Sequence, residues 1–190
     1  MSESELIDEL LDDAKGRMSK SVDATRNEFA TVRTGRASPH LLDRVNVDYY
    51  GTSTPLKQLA NIGAPEARLL VVTPYDKSSI KAIEKAIMES DLGLTPNNDG
   101  TVIRLSIPEL TEERRKELVR VVRGIAEDGR VAVRNVRRDI MHDLRELKNE
   151  GEVGKDDEHR AEEALQKLTD ERTGEIDNLL KGKEQEILEV

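Results

Sequence analysis

Two kinds of spacing in this chain could carry chemistry. His142 with Glu146, and His159 with Glu163, stand four residues apart, which places two metal ligands on one face of a helix. Neither pair has a third ligand nearby in sequence, so both read as solvated neighbours and no metal site is expected. The second is a row of arginines: Arg123, Arg130, Arg134, Arg137, Arg138 and Arg145. At about 100° per residue these six fall within an arc of roughly 100° on a single helix. A guanidinium meets phosphate oxygens in a two-pronged fork that an ammonium cannot form. Only Glu127 is acidic within the row, while Asp128, Asp139 and Glu146 fall to one flank. A straight rod so decorated can lie along folded RNA, touching backbone without reading bases. The competing reading is a solvated face, which any soluble helix needs opposite its apolar stripe.

Catalytic chemistry finds no foothold. There is no Gly-x-Ser-x-Gly elbow, no Walker A sequence and no Gly-x-Gly-x-x-Gly after a strand. Cysteine is absent, which removes disulfides, thiolate metal ligands and cysteine nucleophiles. No catalytic residue and no cofactor are expected.

The elements that position the arginines follow from periodicity. Glu112 and Glu113 after Thr111, a good N-cap, open a helix that runs to about Asn149, a rod of roughly 60 Å. Leu118, Val122, Ile125, Ala132, Val136, Ile140 and Leu147 form its expected apolar side. Gly129 falls in that side. It either lets a neighbouring helix approach closely or weakens its turn by about 1 kcal/mol relative to alanine. Residues 3–33 read as another helix, with Ile7, Leu11, Ala14, Met18, Val22, Thr25, Phe29 and Val32 inward. A third starts near Asp156 or Asp157 and carries Ala161, Leu165, Leu168, Ile176, Leu179 and Ile187.

Between the first two helices the texture changes. Val45–Tyr50 alternates like a strand, Arg68–Pro74 is rich in β-branched residues, and Lys77–Asp91 is a short amphipathic helix. Asn98-Asp99-Gly100 signals a hairpin turn before the strand Thr101–Ile107. Three long helices that need one another to bury their stripes thus enclose a small α/β insert. The two crossings, 33–38 and 106–110, carry a glycine and a proline and read either as a hinge or as rigid turns.

Charge is uneven along the chain. Its net charge is −9, yet residues 111–149 hold eleven basic and eight acidic side chains and are net positive. One Phe, three Tyr and no Trp argue against an aromatic platform for single-stranded nucleic acid. The acidic start and the lack of any run of about 20 apolar residues predict a soluble cytoplasmic protein with no membrane span.

Several stretches resemble the bacterial ribosome-recycling factors. They are Arg33-Thr-Gly-Arg-Ala-Ser-Pro39, Val47-Asp-Tyr-Tyr-Gly51, Ser90-Asp-Leu-Gly-Leu94, Leu110-Thr-Glu-Glu-Arg-Arg115 and Arg130-Val-Ala-Val-Arg-Asn-Val-Arg-Arg-Asp139. The resemblance spans essentially the whole chain. It implies an L-shaped α+β monomer: a long antiparallel three-helix bundle (1–33 plus 108–190) with an inserted β/α/β domain (34–107). Such factors bind the post-termination ribosome across the A and P sites of its large subunit, where they lie on 23S ribosomal RNA. With elongation factor G and GTP they split it into subunits. The GTPase belongs to the partner, so no enzyme is implied. By position, the RNA contacts fall on Arg134 and Arg137, with Arg130 and Arg138 beside them. Hinge residues fall on Thr34, Gly35 and Arg36, and on Ser106, Ile107 and Pro108. Gly129 and the acidic residues before Asp12 depart from the family pattern. The alternative of another class is a helical interaction module that binds acidic protein partners without RNA.

Overall fold

The computed structural model describes residues 2–189. They form two compact units, one of residues up to Arg33 with Arg115–Gln185, the other of Thr34–Arg114 with the residues from Glu186.

The first unit is built on the helices α1 (Glu3–Thr31), α4 (Glu112–Asn149) and α5 (Lys155–Glu189). Their packing is antiparallel between neighbours along the chain. Arg17 meets Asp139 and Gly129 faces Thr25, so α1 runs against α4. Arg130 meets Asp177 and Arg123 meets Glu184, so α5 runs against α4 as well. A bundle of long helices is therefore present, as the apolar periodicities require.

Ser2 starts α1: its hydroxyl accepts from the Glu5 amide, and the Glu5 carboxylate accepts from the Ser2 amide at 2.6 Å. That reciprocal cap holds the Glu5 carboxyl below its usual range. The acidic lead-in thus has a local task. Glu3 beside it accepts a hydrogen bond from the Gly154 amide, next to the start of α5. At the other end α1 stops at Thr31, two residues before the expected end, where Val32 turns to extended backbone.

The buried line of α4 differs from expectation. It runs through Leu118, Val122, Ala126, Gly129, Val133, Val136, Ile140 and Leu144. Ile125, Ala132 and Leu147 are only half-buried. Two neighbours, α1 and α5, share this helix, so the inward face is centred between them. Gly129 lies at closest approach: a Cβ there would strike the Thr25 hydroxyl and sit 3.2 Å from Ile176 Cδ1. Close packing, not a weak turn, is its reason.

Where α4 turns into α5, Glu158 is buried, and Lys148 Nζ reaches both its oxygens at 3.0 and 2.9 Å.

The second unit holds β1 (Asn46–Tyr49), β2 (Thr52–Pro55), a single turn of helix α2 (Leu56–Leu59), β3 (Ala60–Glu66), β4 (Leu69–Pro74), α3 (Ile80–Met88), β5 (Pro96–Asn98) and β6 (Ile103–Ser106). Strands β3, β4, β6 and β5 form one antiparallel sheet in that order, and β1 and β2 form a separate hairpin. Leu42, Val47, Leu56, Leu70, Val72, Ile83, Ile87, Ile103 and Leu105 are its buried core. The expected helix 77–91 is shorter: a 3-10 turn covers Lys77–Ser79 and α3 ends at Met88. The expected strand 101–107 likewise shrinks to β6, because Thr101 and Val102 donate to Asp99 Oδ1 in the turn.

Strand β3 was not expected. Gly63 and Pro65 interrupt it, and its pairing slips between Gly63 and Glu66, as an edge strand tolerates. The β1–β2 turn uses two left-handed residues, Tyr50 (φ 52°) and Gly51 (φ 80°). Tyr49 donates to Asp76 Oδ2 at 2.9 Å, tying that hairpin to the start of α3.

The chain's entry to and exit from the sheet are neighbours. The Ala37 amide donates to the Ala67 carbonyl at 2.7 Å and the Ile107 amide to the Arg68 carbonyl at 2.8 Å. Both crossings are thus fastened to the β3–β4 turn. Gly35, at φ 75°, has Leu110 Cγ 2.8 Å from where a Cβ would stand.

A candidate nucleic-acid interface on the long helix

The six arginines between Arg123 and Arg145 of α4 divide into two rows. Arg123, Arg130 and Arg137 are seven residues apart and drift by only about 20° per heptad. This row faces α5. Arg123 Nε donates to Glu184 Oε1 at 2.6 Å, Arg130 Nε to Asp177 Oδ1 at 2.7 Å, and Arg137 Nη1 to Gln166 Oε1 at 2.8 Å. Gln166 is itself held by Asp170 through a 2.8 Å hydrogen bond.

Arg134, Arg138 and Arg145 form the outer row. Arg134 Nη2 donates to Glu127 Oε1 at 2.6 Å, and the other Glu127 oxygen takes Arg130 at 3.1 Å. Hydrogen bonds from Arg134 and then Arg130 keep the Glu127 carboxyl below its ordinary pKa, so it stays ionised. Burial works against the Arg130 cation, but Asp177 and Glu127 outweigh it and raise its pKa. Arg138 and Arg145 are exposed and make no hydrogen bond or ion pair among the described residues.

Between these side chains lies an open cleft of about 690 Å³, lined by Arg134, Arg137, Arg138, Arg145, Asp139 and Asp143. Asp139 is not an unopposed charge there, since Arg17 Nη2 of α1 binds it at 2.5 Å. That hydrogen bond raises the Arg17 pKa.

The four residues expected to contact RNA therefore sit together, but in unequal states. Arg130 is half-buried between two carboxylates, Arg137 is engaged by an amide, Arg134 shares one carboxylate, and Arg138 is open. The acidic row of α5 was missed from sequence. Asp170, Asp177 and Glu184 repeat every seven residues, the period of Arg123, Arg130 and Arg137. Two rows of opposite sign with one period were the available signal.

The histidine pairs are what their surroundings predict. His142 lies 3.3 Å from Glu146 and His159 3.3 Å from Glu163, all four exposed. No group of three ligating side chains that could hold a metal occurs among the described residues. No helix of the described residues is long and apolar enough to cross a membrane.

A sequence model of the family named Ribosome recycling factor matches residues 25–188. The chain belongs to that family. The ribosome-recycling factor of Rubrobacter xylanophilus is 60% identical over 187 residues, covering 98% of this chain and all of the relative. That of Bacillus subtilis is 56% identical over 182 residues, covering 96% and 98%. A solution structure of a ribosome recycling factor matches at 44% identity and a TM-score of 0.69, over 97% of this chain and 98% of the other. The T. thermophilus ribosome recycling factor, in models with the E. coli elongation factor G bound to the E. coli post-termination complex, matches at 47% identity and a TM-score of 0.62. It covers 99% of this chain and 100% of the other. As a ribosome recycling factor the chain is a translation factor without an enzymatic reaction of its own. The alternative of a module for acidic protein partners gives way to that membership.

Proposed function

We propose that the chain binds the post-termination ribosome through the large subunit's 23S RNA and splits it with elongation factor G and GTP. The observation that carries the RNA contact is the cationic edge of α4, where Arg134, Arg137 and Arg138 meet in one open cleft beside Arg130. Guanidiniums on a rigid helix take phosphates with little loss of freedom on binding. The bundle, 1–33 with 108–190, is the part that grips. The inserted domain, 34–107, is the part that turns.

Turning is expected at Thr34, Gly35 and Arg36 on entry. On exit it is expected at Ser106, Ile107 and Pro108; Ser106 pairs with Leu69 in the sheet and the Ile107 amide donates to the Arg68 carbonyl. In this reading the factor acts as a monomer in the cytoplasm, where translation takes place.

The test is dissociation of post-termination ribosomes into subunits, with and without elongation factor G and GTP. Wild-type protein splits them only when both are present. Arg137→Ala lowers binding to large subunits and splitting together, with the fold intact. Unchanged binding of this variant at moderate salt would remove the cleft from the mechanism.

A further inference from the structure

We infer that Arg145 extends the phosphate-binding edge of α4, and that Arg17 acts as a positioning residue that keeps this edge cationic. The inference rests on the reading of α4 as an RNA-binding face and carries it to two residues outside the expected set.

The two arginine rows differ in what a phosphate would have to displace. On the inner row, Arg130 must give up Asp177 and Glu127, and Arg123 must give up Glu184. On the outer row, Arg138 and Arg145 are bound to nothing among the described residues. Arg134, Arg138 and Arg145 span an arc of about 40° and a rise of about 16 Å. Arg145 stands two turns beyond Arg138 and lines the same cleft, so it takes a different phosphate of the same backbone. Its binding displaces no protein partner among the described residues, only water and side-chain freedom.

Two carboxylates border this cleft, Asp139 and Asp143. An uncompensated Asp139 beside Arg138 would repel the phosphates the arginines attract. Arg17 prevents this from the α1 side, at 2.5 Å, and is itself also 3.6 Å from Asp13. Arg17 therefore acts through Asp139 and not through RNA.

Binding of the full chain to isolated large ribosomal subunits, from about 50 to about 200 mM salt, tests both residues. Arg145→Gln is expected to weaken binding roughly threefold to tenfold and to flatten the log–log salt slope by about 1. Arg145→Lys keeps the charge and so keeps the slope. An Arg145→Gln variant with wild-type affinity and slope, beside an Arg138→Gln variant that loses both, overturns the role of Arg145 alone. Should neither variant lose affinity, the RNA-binding reading of the cleft falls with it. A Lys variant as flat as the Gln variant also overturns the electrostatic role of Arg145. For Arg17, Arg17→Gln weakens binding, and Asp139→Asn added to it restores wild-type affinity. If the double variant stays weak, Arg17 does not act through Asp139.

Discussion

Arg130 of α4 and Asp177 of α5 are joined through one carboxylate oxygen, Oδ1, which Nε and Nη2 both approach at 2.7 Å. The same guanidinium donates to Glu127 in its own helix at 3.1 Å. One arginine thus fastens two helices one turn before Arg134 of the cleft proposed to take phosphates, and in that proposal the two tasks compete for its hydrogens.

Replacing Asp177 with Asn should therefore release Arg130 toward RNA. Affinity for large subunits is expected to rise roughly twofold to fivefold, with a salt slope steeper by up to about 1. Stability should fall by no more than about 1 kcal/mol, because Asp177 is half exposed and the pair is screened by water. Titration of large subunits and thermal melting measure the two effects separately.

Gly129→Ala should destabilise the bundle although alanine is the better helix former. The added methyl meets the buried Thr25 side chain, and overpacking of this kind costs about 1–3 kcal/mol against a gain of about 1 kcal/mol in helix propensity. Adding Thr25→Ala makes room and should recover most of the loss. Urea denaturation of the two single variants and the double variant reads the coupling directly.

Lys148, 38% exposed, pairs with the buried carboxylate of Glu158, 9% exposed. Removing the cation leaves the buried carboxylate without its partner, softened by its place in the first turns of α5. Lys148→Met should therefore cost more stability than Glu158→Gln, which keeps a hydrogen-bonding group for the ammonium. A loss of about 1–3 kcal/mol is expected for Glu158→Gln. Chemical denaturation ranks the two variants.

Asp99 caps the β5–β6 turn. Hydrogen bonds from the Val102 amide, the Arg104 guanidinium and the Thr101 amide lower its pKa from 3.8 to about 2. A carboxyl depressed in the folded state stabilises fully above its unfolded value, and the benefit fades as pH falls from there through the folded value. The turn should thus weaken between pH 3.8 and about 2. Carboxyl and amide chemical shifts followed by NMR should show a midpoint near 2 for Asp99, with the Thr101 and Val102 amides moving in step.

Much of the architecture was written locally in the chain. The stripe from Ala14 to Phe29 specifies α1, because apolar residues at three- and four-residue steps can be buried only on a helix. The Thr111 cap, 3.1 Å from the Arg114 amide, and the glycines after Asn149 bound α4 by backbone chemistry that needs no distant partner. Asn98-Asp99-Gly100 turns for the same reason, since its own side chains accept the exposed amides. Motif order carried the family.

Contacts between distant segments were not legible in that way. Strand β3, interrupted by glycine and proline, is a strand because β4 lies beside it. The reason for Gly129 appeared only when Thr25, over a hundred residues earlier, came to lie against it. The arginine row was visible as a helical face, but its division into held and open guanidiniums was not. That division depends on the register at which α5 lies along α4, and register is set by packing over the whole interface.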